Sequence, residues 1–153
     1  MERHTFKTEI DAPREKVWAI LWGEKTYSKW TAPFGEGIKA EGDSRAETDW
    51  QEGSKVLFLG AEGNGMMSII EKSNPPEFMS FKHIGIVKDG KEITEGEEVK
   101  KWVPAYENYT LKKRNGKTEL VIDMDIADEY EDYFLKTWPI ALHKLKELSE
   151  KKT

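Results

Sequence analysis

The chain has no cysteine among its 153 residues, so it holds no disulfide framework, no thiolate nucleophile and no thiolate metal ligand. A cytosolic setting is the expectation. Long apolar runs are missing too: no window approaches the roughly 18 uncharged residues that a membrane span needs, and MERHTFKTEI lacks the apolar stretch of about 7–15 residues found in a signal peptide. Nor is there an excess of positive charge. With 24 Lys+Arg against 29 Asp+Glu the net charge is −5, and nucleic-acid partners are usually met by a basic face, so none is expected. There is no internal repeat, no low-complexity tract and no break in composition long enough for a linker. The reading is one domain, residues 1–153.

What is present is aromatic. Six Trp, five Tyr and six Phe are too many for a disordered chain, even with 35% charged residues, and they predict an aromatic-rich core. His4–Ile10 alternates Phe6, Thr8 and Ile10 with polar neighbours, the period of a half-buried strand. Pro13 suits the first turn of a helix, and Val17, Trp18, Leu21 and Trp22 follow at helical spacing over Arg14–Trp22. A second helical turn is predicted over Glu24–Trp30, before Thr31-Ala32-Pro33-Phe34-Gly35 forces a loop.

From Arg45 to Ile126 the apolar residues keep period 2, and the breaks are turn dipeptides: Asn64-Gly65, Asp89-Gly90 and Asn115-Gly116. An antiparallel meander follows, with strands Arg45–Trp50, Lys55–Leu59, Met66–Lys72, Glu77–Val87, Tyr106–Lys113 and Lys117–Ile126, and with Asn74-Pro75-Pro76 as a rigid connection. The acidic stretch Lys88–Lys101 reads as an extended hairpin tip or a mobile insertion. The chain then turns helical. Asp128 and Glu131 form a capping-box pair, Glu129 and Asp132 suit the positive end of the helix dipole, and Tyr130, Phe134, Trp138, Ala141, Leu145 and Leu148 make one apolar stripe. Pro139 removes the hydrogen bond to the carbonyl of Leu135 at a cost of about 3 kcal/mol, which predicts a kink.

The order of elements predicts an α+β fold: a curved antiparallel sheet of six to seven strands with one apolar face, covered by a long C-terminal helix. The sequence resembles the START-like (SRPBCC, helix-grip) superfamily, and within it the bacterial proteins similar to the C-terminal domain of the activator of the heat-shock-protein ATPase. The resemblance rests on Ile10-Asp11-Ala12-Pro13-Arg14-Glu15-Lys16-Val17-Trp18 and on Lys29-Trp30-Thr31-Ala32-Pro33-Phe34. It continues in Ser73-Asn74-Pro75-Pro76-Glu77-Phe78 and in Thr137-Trp138 with Leu142, Leu145 and Leu148. It departs at Gln51-Glu52-Gly53-Ser54, where many relatives carry paired glycines, and in the length of Lys88–Lys101. The resemblance implies a hollow between sheet and last helix. It implies function only loosely, since relatives bind lipids, hormones or polyketides, act as cyclases or serve chaperones.

Alternation selects the side chains that would face such a hollow: Trp50, Phe58, Met67, Phe81, His83, Tyr109, Ile122 and Met124 on the strands, with Asp49, Lys82, Asp123 and Asp125 turned to water. Phe134 and Trp138 face them from the last helix, and Trp30 and Phe34 complete the candidate ligand-binding set. These residues either fill a core or line a site for an apolar or amphipathic molecule; large stiff rings fill a curved interior less completely than Leu and Ile. His83 is either a core histidine bonded to a neighbour or the polar contact that orients a ligand.

The three histidines, His4, His83 and His143, form no evident ligand triplet, and His143 has lysines and leucines beside it, so no metal site is expected. Gly60-Ala61-Glu62-Gly63-Asn64-Gly65 joins strand to strand and lacks the following helix that a phosphate cradle requires. There is no Gly-x-Ser-x-Gly elbow and no serine with an evident histidine partner, so no catalytic residue or cofactor is assigned. Two functions remain: a module that binds a small apolar or amphipathic molecule such as a lipid, and an interaction module whose partner is a protein such as a chaperone. An open interior of at least about 300 Å³ favours the first; a filled interior with a large exposed apolar patch favours the second.

Overall fold

In the computed structural model, which describes residues 1–34, 44–60 and 63–151, strand β1 (Glu2–Ile10) leads into α1 (Arg14–Trp22) and α2 (Glu24–Trp30). A 3-10 turn, Ala32–Phe34, follows. Then come β2 (Arg45–Glu47), β3 (Lys55–Leu59), β4 (Gly65–Asn74), β5 (Phe78–Lys88), β6 (Lys91–Ile93), α3 (Glu97–Lys100), β7 (Ala105–Arg114), β8 (Lys117–Ile126) and α4 (Glu131–Glu150). The expected Gly35 end of the first loop lies outside the described residues.

All strands pair antiparallel in one sheet of order β1-β8-β7-β5-β4-β3-β2, with β6 hydrogen-bonded to β5. Register shifts at Met67/Ser68 and Ile70/Lys72 interrupt the β4–β5 ladder, and bulges of this kind bend a sheet and increase its twist. The α+β architecture of the sequence reading is therefore observed. The inner face carries Ile10, Val56, Ile70, Met79, Phe81, Leu120 and Ile122, packed against Val17 and Leu21 of α1 and Trp138, Ala141, Leu142 and Leu145 of α4.

Two hairpins match their dipeptides. Asp89-Gly90 (φ 50° and 76°) joins Lys88 to Lys91, and Asn115-Gly116 (φ 51° and 83°) joins Arg114 to Lys117, the doubly positive φ of a type I′ turn. The third turn is shifted. Gly65 already belongs to β4, opposite Leu59, while the N–H of Gly63 (φ 77°) donates to the Gly60 carbonyl, so the chain reverses before Asn64-Gly65. A Cβ on Gly65 would stand 1.7 Å from the Phe58 carbonyl oxygen, so this glycine is required by close strand approach rather than by φ.

Three further expectations are corrected. The strand beginning at Arg45 ends at Glu47, because the Trp50 N–H donates to Thr48 Oγ1 (3.2 Å) and the Gln51 N–H to Asp49 Oδ1 (2.9 Å). These side chains bend the backbone out of the ladder and leave Trp50 at φ 62°. At the last helix, Asp128–Tyr130 is a 3-10 turn, α4 starts at Glu131, and no side-chain cap bond forms; the Asp128 carboxylate lies 3.8 Å from the Met1 amino group instead. Lys88–Lys101 is neither a simple tip nor a loose insertion: β6 returns along β5, and one turn of helix follows with Val99 buried. The helix α4 continues through Pro139 as one element, with buried Trp138, Ala141 and Leu142 on either side of the proline.

Candidate functional site

Sheet and α4 diverge toward one end and leave a hollow of about 410 Å³. The inward rings divide along its length. At the packed end Trp22 meets Trp50 and Phe81 at centroid distances of 5.3 Å each and Tyr109 at 4.9 Å, and Ile122 is fully buried. Trp50, Phe81 and Ile122 thus belong to the core beneath the hollow. At the open end the walls include Trp30, Phe34, Phe58, Phe134 and Trp138, with His83, Tyr109 and Met124 on the floor. Phe34 stands edge-on to Trp138 at 4.7 Å, and the Trp138 indole N–H points at Met124 Sδ, 2.9 Å away. Such offset and edge-on ring contacts are favourable but leave gaps that branched aliphatics would fill.

Met67 does not join them. Phe58 pairs with Met66 and Leu57 with Met67, so Met67 packs with Leu59 and Val87 on the opposite face, and Met66 takes the inward place. One residue of slip between β3 and β4 exchanges the two methionines.

The floor is polar. Ser68 and His83 face each other across β4 and β5, with Ser68 Oγ 2.6 Å from His83 Nδ1. On its other side His83 Nε2 lies 3.2 Å from Glu107 Oε1, and the Tyr109 hydroxyl donates to Glu107 Oε2. A carboxylate only accepts, so Nε2 carries a proton toward Glu107, and a ring protonated at Nε2 alone accepts at Nδ1 from the Ser68 hydroxyl. Every polar atom of the row is paired. Burial, reinforced by the Glu107 charge, pushes the Tyr109 phenol well above its ordinary pKa, and the same two causes raise Tyr27. Both rings remain hydrogen-bond donors at neutral pH.

The expectation that no serine has a histidine partner is therefore corrected. Ser68 is nevertheless fully buried and absent from the hollow's lining, so its hydroxyl is out of reach of anything bound there. Asp123 and Asp125 lie on the outer face as read from the sequence: Asp123 accepts from Thr5 (2.6 Å) and Asp125 from Arg3 (2.6 Å) and the Tyr106 N–H (2.9 Å). Partial burial pushes the Asp125 carboxyl up, but the Arg3 and Tyr106 bonds outweigh it and hold the carboxyl below the usual range. His143 pairs with Glu147 one turn on, at 3.0 Å on the exposed face of α4. Glu2, His4 and Glu131 each offer a ligand atom within 4.8 Å of the others, a grouping across β1 and α4 that linear spacing does not display.

A curved antiparallel sheet gripping a C-terminal helix around an aromatic hollow is now in view, and the family model described as Activator of Hsp90 ATPase homolog 1-like protein matches residues 11–150. The chain belongs to that family. Among solved structures, the Aha1 dimer from Colwellia psychrerythraea is similar over 98% of this chain and 97% of that one, with TM-score 0.71 and 16% identity. The AHSA1-like protein from Aeromonas hydrophila matches over 97% and 92%, with TM-score 0.67 and 13% identity. CalU16 from Micromonospora echinospora matches over 96% and 75%, with TM-score 0.63 and 15% identity. Identities this low carry the fold alone. No protein of curated function matches the sequence significantly.

In this Activator of Hsp90 ATPase homolog 1-like chain the sequence reading passed over Tyr27, Met66, Trp102, Glu107 and Tyr133, all of which line the hollow. Some signals were available. Tyr27 precedes Trp30 by three residues on α2 and stacks on it at 5.7 Å. Glu107 is in phase with Tyr109 on β7 and hence on the inner face. Trp102 gave no such signal: it reaches the site from the connection after α3 and lies on Tyr130 at 4.3 Å.

Proposed function

We propose that this chain binds a small apolar or amphipathic molecule, without covalent chemistry, in the hollow between the sheet and α4. The observation that supports the reading is the hollow itself: about 410 Å³ lies within the range of about 300–1,000 Å³ typical of ligand pockets, walled by rings with a few polar groups converging on the floor. Trp30, Phe34, Phe58, His83, Tyr109, Met124, Phe134 and Trp138 are the proposed contacts retained from the sequence, joined by Tyr27, Met66, Trp102, Glu107 and Tyr133. A second reading, a chaperone co-factor that binds its partner through an exposed face, draws on the family description. It has less to work with, since the large apolar side chains exposed among the described residues are Met1, Leu135 and Ile140.

The test is titration with N-phenyl-1-naphthylamine, a neutral apolar fluorophore. Saturable 1:1 binding with quenching of tryptophan emission supports the ligand reading. A folded, monodisperse protein that gives no saturable signal removes it and leaves the protein-partner reading.

A further inference from the structure

The charge balance of the hollow narrows the ligand. Among the described residues that line it there is no Lys or Arg side chain, whereas two acidic residues are present, Glu107 on the inner face and Asp125, whose carboxylate is turned to the outer face. The Asp125 charge is answered by the Arg3 guanidinium at 2.6 Å, and the Met1 amino group at the rim is 3.8 Å from Asp128. Glu107 is different. Its partners within the row are the Tyr109 hydroxyl and the His83 Nε2–H, which with a neutral ring give each carboxylate oxygen one donor, leave acceptor sites open and do not cancel its charge. Two neutral donors ask for an acceptor, and a side-chain amide would serve. A carboxylate whose side chain is 18% exposed carries a desolvation cost, which a neutral His83 answers by hydrogen bonding alone.

The surroundings suit a cation. Phe58 lies edge-on to His83 at 6.1 Å and to Tyr27 at 6.3 Å, and Tyr27 is close enough to Glu107 for that charge to raise its phenol pKa. Aromatic rings near a half-buried carboxylate favour an ammonium, since a ring quadrupole attracts a cation as the carboxylate charge does. Resting on the ligand-binding reading above, we propose that the hollow takes an apolar amine, its hydrocarbon or aromatic body against Trp30, Phe34 and Trp138 and its ammonium donating to Glu107. An anionic amphiphile such as a fatty acid places its carboxylate against Glu107 with no Lys or Arg side chain among the described lining residues to receive it and is the disfavoured class.

Three probes of one shape at pH 7 test this by displacement of N-phenyl-1-naphthylamine: 1-naphthylmethylamine (cation), 1-naphthalenemethanol (neutral) and 1-naphthoate (anion). The expected order of affinity is cation, alcohol, anion, with at least about tenfold between the first and last, a margin in keeping with one partly desolvated charge contact. In Glu107→Gln the cation and anion converge to within about twofold. Naphthoate binding as tightly as the amine in the wild-type protein overturns the proposal without needing any variant, and an order unchanged in a folded Glu107→Gln overturns it as well. Binding of all three probes with equal affinity leaves the ligand reading intact and removes the amine. Failure of the neutral fluorophore itself removes the ligand reading.

Discussion

Trp138 is where the core, the hollow and the closing helix meet, and its removal is the most informative perturbation. Its indole is 2% exposed and lies against Phe6 (5.7 Å), Trp30 (6.1 Å), Phe34 (4.7 Å) and Tyr109 (6.2 Å), while its N–H points at Met124 Sδ. A tryptophan buries about 150–250 Å², so at about 25 cal/mol per Å² the transfer contribution is roughly 4–6 kcal/mol, an upper bound because the unfolded chain already hides part of that surface. Truncation of large aromatics in packed cores costs about 3–5 kcal/mol. One side of the ring borders the hollow, so fewer neighbours lose contact than in a closed core, and the expectation for Trp138→Ala is the lower part of that range, about 3–4 kcal/mol. Trp138→Phe keeps a ring and loses the N–H contact, for about 1–2 kcal/mol. Urea melts with a two-state fit measure both, and a chain of this size should lose about 2–4 °C in Tm per kcal/mol. A loss below about 1 kcal/mol for Trp138→Ala with unchanged circular dichroism would refute the placement of this ring at the junction of sheet and helix.

Two more outcomes follow from local geometry. Gly65→Ala forces a Cβ toward the Phe58 carbonyl, a backbone contact that cannot rotate away, and should cost about 1–3 kcal/mol in the same melts, whereas Gly116→Ala, with open space and φ 83°, should cost only about 1 kcal/mol. Equal losses would mean that β3 and β4 are not as close as described. The raised phenols of Tyr27 and Tyr109 give an alkaline limb: below pH of about 10 their contribution to stability is complete, and above it the unfolded chain releases phenolic protons that the folded chain retains, so stability falls as pH rises. Absorbance at 295 nm should show these two of the five tyrosines titrating only as the protein unfolds, and a full five-tyrosine titration near pH 10 in the folded state would contradict it.

The antiparallel strands, the hairpins at Asp89-Gly90 and Asn115-Gly116 and the stripe of α4 were legible because each rests on a local rule, a positive φ or a residue period, that tertiary contacts reinforce. The misreadings share another cause. Thr48 and Asp49 compete for backbone N–H groups and end β2 early, and after β3 the Gly63 N–H already donates to the Gly60 carbonyl ahead of the dipeptide that signals the turn. Met67 lies on the far face and Met66 in the hollow because neighbouring residues of a strand face opposite ways, so a phase read one residue off exchanges the two.

Glu107 was hidden for a different reason. Polarity places a glutamate in water, and phase places it beside Tyr109 on the inner face; the two rules conflict, and polarity ordinarily wins because burying a charge is costly. Here phase wins, which requires something to hold the carboxylate inward. Tyr109 sits two residues away on the same strand face, and His83 stands across the sheet from Ala105, within reach of Glu107. His83 in turn is oriented by Ser68, so three residues, one from each of three strands, fix one carboxylate on the floor of an aromatic hollow. A local rule broken at such a cost, with its supports so fully satisfied, is what the proposed binding reading requires of this position. It also changes the expectation for the site: His83 has both ring nitrogens engaged by Ser68 and Glu107, so under the proposed binding reading it would act on a ligand through the carboxylate that it positions. His83→Gln should therefore alter the preference between cationic and anionic probes more than the affinity for a neutral one.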